Sequence, residues 1–131
     1  GCTATIADCD MVQQGILKVR AKGGSRFRLS AVKVAANGLL VGQADTLPLK
    51  ATTLAPQYAA AAAFLRRVIE QSGAENFIPP FQYDDAGWVS FRLTEILPIR
   101  VAAKQKLLEL DDGNQRLEVL DRFLREQKLV G

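Results

Sequence analysis

Leu17-Lys18-Val19-Arg20-Ala21-Lys22-Gly23-Gly24-Ser25-Arg26-Phe27-Arg28-Leu29 alternates apolar and cationic residues on both sides of a glycine pair. A period of two puts Leu17, Val19 and Ala21 on one sheet face and Lys18, Arg20 and Lys22 on the other. Gly23-Gly24-Ser25 supplies residues that tolerate positive φ, so the stretch predicts a tight hairpin. In that hairpin Lys18, Arg20 and Lys22 face Arg26 and Arg28, giving one five-cation face. Val32 and Val34 fall on the parity opposite to Phe27 and Leu29, which predicts a bulge near Ser30-Ala31. Upstream, Thr3-Ala4-Thr5-Ile6-Ala7 is a short strand ended by Asp8 and Asp10. Downstream, Asn37-Gly38 is the strongest short hairpin signal in the chain, and Leu39 to Ala44 is the returning strand. Residues 1–50 therefore predict an antiparallel meander of four short strands.

Around Leu47-Pro48 the period changes. Pro56 suits the first turn of a helix, with Tyr58, Ala62, Leu65 and Ile69 as its inward stripe and Ser72-Gly73 as its stop. Phe77 to Tyr83, with Pro79-Pro80 at its centre, is a connecting loop. Asp84 or Asp85 caps a second helix whose apolar positions are Trp88 or Val89, Leu93, Ile96 and Leu97, ended by Pro98. Ala102 to Leu110 is a shorter third helix. Asp112, with Gln115 three residues on, opens a fourth that turns Leu117, Leu120 and Leu124 inward. Strands first and helices afterwards make an α+β chain: a β portion over 1–50 and a helical sub-domain over 51–131.

The chain has 131 residues, 48% hydrophobic and 24% charged, which is ordinary for one globular domain or a compact pair of sub-domains. No apolar run approaches the roughly 20 residues of a bilayer crossing, so no membrane-spanning helix is predicted. No charged and then apolar leader opens the sequence. Cys2 and Cys9 are the only cysteines, and are expected as free thiols of a reducing, cytoplasmic compartment. The start at Gly1-Cys2, directly inside a strand pattern and without Met, has the look of a fragment or processed product.

There is no histidine. Serine or cysteine nucleophiles paired with imidazole, histidine-bearing zinc sites and imidazole general bases are thereby excluded. Gly38 to Gly42 lacks the lysine and spacing of a phosphate loop. The pairs Asp84-Asp85 and Asp111-Asp112 stand immediately before helices, where a carboxylate accepts from free backbone N–H groups; capping is expected, not metal binding or proton sharing. Neither a catalytic group, a cofactor nor a metal is predicted.

Two surfaces remain. The net charge is +3; residues 1–50 carry +4 and residues 51–131 carry −1. The cations Lys18, Arg20, Lys22, Arg26 and Arg28 are candidates for tracking phosphates. A solvated, guarded sheet edge is the preferred reading of them, since no aromatic residue interleaves them for base stacking. In the helical half, Phe77, Phe81, Tyr83 and Trp88 read first as residues that pin the loop to the body, and are also the candidates for an apolar patch that takes a peptide.

The opening Gly1-Cys2-Thr3-Ala4, the stretch Gly24-Ser25-Arg26-Phe27-Arg28-Leu29 and Gly38-Leu39-Leu40-Val41-Gly42 with Leu47-Pro48 resemble the N-terminal, substrate-binding domain of Lon proteases. Trp88, Arg92, Leu93, Glu95, Leu97-Pro98, Lys104-Gln105, Leu107 to Leu110 and Arg116-Leu117 are similar to that family's helical pattern. The resemblance covers nearly the whole chain. It implies a PUA-like β-barrel followed by a C-terminal four-helix bundle. It further implies a non-catalytic bacterial protein, stand-alone or a piece of one, that engages unfolded or partner polypeptides. The segment that supplies the barrel's first strands is missing by this comparison, which predicts an incomplete barrel whose exposed strand edge self-associates or accepts extended chains. RNA binding by the basic strand face is the alternative, with nucleic acid the less expected partner.

Overall fold

The computed structural model describes residues 1–131. The chain divides into two compact units, Gly1–Leu49 and Lys50–Gly131.

The first unit is a three-stranded antiparallel meander, ordered β1 (Cys2–Gln13), β2 (Ile16–Val34) and β3 (Leu40–Thr46). Two features differ from expectation. The first strand does not stop at Asp8 and Asp10 but runs on to a turn at Gln14-Gly15, where Gly15 takes φ 86°. The glycine pair then makes no turn: β2 runs through Gly23-Gly24-Ser25 for 19 residues, and four expected strands become three. The reason lies across the sheet. Cys2 pairs with Arg26 and Ala4 with Gly23, so β2 carries one extra residue there, a bulge. A Cβ on Gly24 would collide with the Thr3 side chain. Glycine serves close approach at this point, not chain reversal.

Two further expectations for this half hold. The register of β2 with β3 slips by one between Leu29 and Ala31, with Ser30 Oγ donating to the Gln43 carbonyl at 3.3 Å. The second hairpin turns at Asn37-Gly38: the Gly38 N–H donates to the Ala35 carbonyl, Gly38 has φ 83°, and Asn37 Oδ1 accepts from the Leu39 N–H. A type I turn followed by a left-handed glycine gives that pattern.

The sheet buries little. Ile6, Leu17 and Val34 are at least 60% exposed, and Arg26 is the single buried residue of the three strands.

The second unit has its own core. A one-turn 3-10 helix at Pro56–Tyr58 leads into α1 (Ala59–Ser72), which Gly73 ends at φ 86°. After the loop come α2 (Ala86–Ile96), α3 (Val101–Glu109) and α4 (Gly113–Glu126). Asp85 caps α2 by accepting from the Trp88 N–H at 2.7 Å, and Asp112 caps α4 by accepting from Asn114 and Gln115. One member of each acid pair is thus a cap, as the sequence predicts. Ala61, Leu65 and Ile69 of α1, Val89 and Leu93 of α2, Leu107 of α3, and Leu117, Leu120 and Leu124 of α4 close one apolar cluster. Each buried leucine contributes about 1.5–3 kcal/mol by leaving water.

Polar groups tie this core together. Arg116 is 2% exposed; its Nε donates to Ser90 Oγ at 2.9 Å and its Nη1 donates to the Leu110 carbonyl. Its guanidinium also lies 3.9 Å from the Phe91 ring centroid. The segment that precedes α1 is held from both sides. Leu54 N–H donates to Asp84 O and Ala86 N–H to Thr52 O, a short antiparallel bridge. The Asn114 side-chain amide in turn donates to Thr53 O and accepts from the Ala55 N–H. The bridge fixes where the loop carrying Gln82, Tyr83 and Asp84 enters α2, and so positions the aromatic residues.

Candidate surface cleft of the helical unit

Three of the four aromatic candidates come together. Phe81 and Tyr83 stack with centroids 6.2 Å apart and planes at 18°. Trp88, one turn into α2, meets both edge-on, at 5.2 Å from Tyr83 and 6.1 Å from Phe81. Offset and edge-to-face pairs at these separations are the favoured aromatic arrangements. Phe81 keeps 36% of its surface exposed, while Tyr83 and Trp88 are half-buried against the helical core. The trio therefore anchors the loop and also presents one ring outward. Phe77 takes no part in these ring contacts and packs, half-buried, against the apolar cluster.

One further residue belongs here that no local pattern singles out. Arg66, on α1, lays its guanidinium 4.5 Å from the Tyr83 ring centroid. The run Leu65-Arg66-Arg67 reads only as the polar end of an alanine-rich helix; the contact depends on how the loop crosses α1.

Arg66, Tyr83 and Asp84 line two adjoining hollows. The larger, about 620 Å³, is completed by Ala51, Thr52, Thr53, Phe81, Gln82 and Asp85. The smaller, about 360 Å³, runs over the small side chains Ala59, Ala62 and Ala63 beside Leu54, Arg67 and Glu70. The cleft so formed has an aromatic wall, an alanine floor and charges of both signs at its rim. It contains no histidine or cysteine, and Asp85 is occupied as a helix cap. Such a surface sets aromatic rings and small apolar side chains beside charged and polar groups.

The basic candidates lie in the other unit and do not form the single face expected. Asp8 stands opposite Arg20, Asp10 opposite Lys18 and Asp45 opposite Arg28. Residues paired across strands share a face, so three of the cations have a carboxylate directly across from them. The bulge at Gly24-Ser25 reverses the parity of β2, which places Arg26 and Arg28 on the face opposite to Lys18, Arg20 and Lys22. Arg26 is also only 5% exposed.

The chain is thus α+β, with an antiparallel meander and a helical unit that carries the aromatic-rimmed cleft. Residues 1–126 match the family described as the ATP-dependent protease La (LON) substrate-binding domain, and the chain belongs to that family. Among solved structures it is similar to a Lon N-terminal domain protein from Xanthomonas campestris, with 33% identity, a TM-score of 0.71 and 89% of this chain covered. The chain spans 63% of the length of that protein. No curated protein matches it.

Proposed function

We propose that this domain binds polypeptide segments, unfolded or belonging to a partner, in the cleft of its helical unit, and that it does so without chemistry. Membership of a substrate-binding family supports a binding role in general. The observation that carries the reading is the ring cluster Phe81, Tyr83 and Trp88, with Phe81 turned outward on the wall of the cleft. Aromatic anchors held rigidly by one another contribute binding area at little ordering cost. Apolar contact without a shaped, closed pocket favours breadth over selectivity, which suits a domain that samples many chains.

The open edges of the three-stranded sheet are a second place where extended chains, including another copy of this one, would add a strand. Phe77 is demoted within this reading, because its ring packs inward.

Trp88 is the only tryptophan and sits in the cluster, so its emission reports on the cleft directly. Titration with a reduced, alkylated protein that cannot refold is expected to shift that emission saturably, while the same protein in its folded form leaves it unchanged. Emission indifferent to both, at concentrations where pull-down shows complex formation, moves the binding site away from the cleft.

A further inference from the structure

We infer that Arg66 makes this cleft selective among peptides, favouring a segment that carries a single carboxylate next to apolar residues. The inference rests on the peptide-binding reading above and names the class of segment that the same site takes.

Arg66 is held in place by a contact that uses none of its hydrogen-bonding capacity. Its guanidinium lies over Tyr83 at 4.5 Å, and Tyr83 is braced by Trp88 at 5.2 Å and Phe81 at 6.2 Å. A guanidinium seated over a ring is held without any hydrogen-bond acceptor, so its N–H donors remain for a ligand. The ion pairs Arg92 with Glu95, Lys106 with Glu109 and Arg125 with Asp121 of this unit do not involve it. Arg66 is exposed, and its one directed contact is the Tyr83 ring.

Position adds to availability. Arg66 and Tyr83 line both hollows, so a segment lying from one to the other passes across the guanidinium. A fixed, planar fork of donors matches the two oxygens of a carboxylate and gives short, charge-assisted bonds. Because the side chain is already ordered on Tyr83, less rotamer entropy is lost when it engages a ligand.

The surrounding acids limit how much negative charge the site accepts. Asp85 is committed to the Trp88 N–H, but Asp84 and Glu70 stand exposed on the same walls and outnumber the one further cation there, Arg67. One carboxylate at Arg66 is compensated; a run of them meets like charge. The preference is therefore for an apolar segment with one acid, not for an acidic tract.

The test uses three end-blocked nonapeptides of leucine, phenylalanine and serine that differ at the centre: one glutamate, one glutamine, or three consecutive glutamates. Affinities are read by fluorescence anisotropy against the intact chain. The glutamate peptide is expected to bind roughly tenfold more tightly than its glutamine twin, the worth of one charge-assisted hydrogen-bonded pair. Added salt narrows that gap, and the triple-glutamate peptide binds more weakly than the single. Arg66→Gln should close the gap between the glutamate and glutamine peptides, with the fold of the variant checked by circular dichroism and its denaturation midpoint. Equal affinities for the glutamate and glutamine peptides overturn the selectivity and leave peptide binding standing. A gap that persists in Arg66→Gln assigns it to another cation and overturns the role of Arg66. Failure of all three peptides to bind removes the underlying reading as well.

Discussion

Gly113 lies against the backbone of Gly87: a Cβ at Gly113 would come within 2.5 Å of the Gly87 amide nitrogen and 2.6 Å of the Ala86 carbonyl carbon. Neither neighbour is a side-chain end that could swing aside. The contact lets the first turn of α4 sit directly on the first turn of α2, the turn from which Trp88 reaches the cluster. Gly113→Ala is accordingly expected to destabilise the helical unit by about 1–3 kcal/mol through overpacking, measured by urea denaturation followed at Trp88. Gly23→Ala, where nothing lies within 4 Å, should leave that transition where it is.

Arg116 is the polar counterpart of that close approach. Truncating it to alanine removes donors from Ser90 Oγ and the Leu110 carbonyl, together with packing on Phe91. The expected loss is about 2–4 kcal/mol, well above the usual cost of a surface substitution. Ser90→Ala should cost less, about 1 kcal/mol, and the pair should be non-additive in a double-mutant cycle.

Asp85 and Asp112 cap different helices and are not bonded to each other. Replacing either by alanine is expected to cost about 1 kcal/mol. The double replacement should cost the sum, as chemical denaturation of the three variants would show. The adjacent Asp84, whose backbone carbonyl rather than its carboxylate makes the bridge to Leu54, is expected to tolerate asparagine with no loss of stability.

The arrangement of the strand cations makes a quantitative statement about nucleic acid. Five phosphates neutralised together on a single strand would give a log–log salt slope of about −3.5. With Asp8, Asp10 and Asp45 opposite Arg20, Lys18 and Arg28, and with Arg26 buried, an RNA titration between low and high salt should give a much shallower slope. A steep slope that is lost on changing Lys18, Arg20 and Arg26 to glutamine would contradict this account of the sheet.

Much of this molecule is legible in its sequence where the signal is local. Asp85 and Asp112 announce their helices because capping needs only one residue before a periodic run. Pro56 and Gly73 bracket α1 for equally local reasons, and the parity change from Leu29 to Val32 betrays the bulge at Ser30. The failures share a cause. Gly23-Gly24 admits either a turn or a strand pressed by a neighbour, and only the position of Thr3 on the adjacent strand decides between them. Reading it as a turn misplaces the first hairpin, which in fact turns at Gly15, and collects onto one face cations that the bulge separates. Of the site, the aromatic residues are visible as a cluster in sequence. That Phe77 turns inward while Arg66 comes over Tyr83 depends on how the loop crosses α1, and periodicity carries no information about that.

The direct test of the binding account is the affinity of the double variant Phe81→Ala, Tyr83→Ala for a reduced, alkylated protein, with its fold checked by circular dichroism and its denaturation midpoint. Loss of these two rings removes the outward face of the cluster and the platform of Arg66. Affinity is expected to fall by at least tenfold, the scale of a lost aromatic anchor of 1.4 kcal/mol or more. A folded double variant that binds as tightly as the native chain would contradict the account.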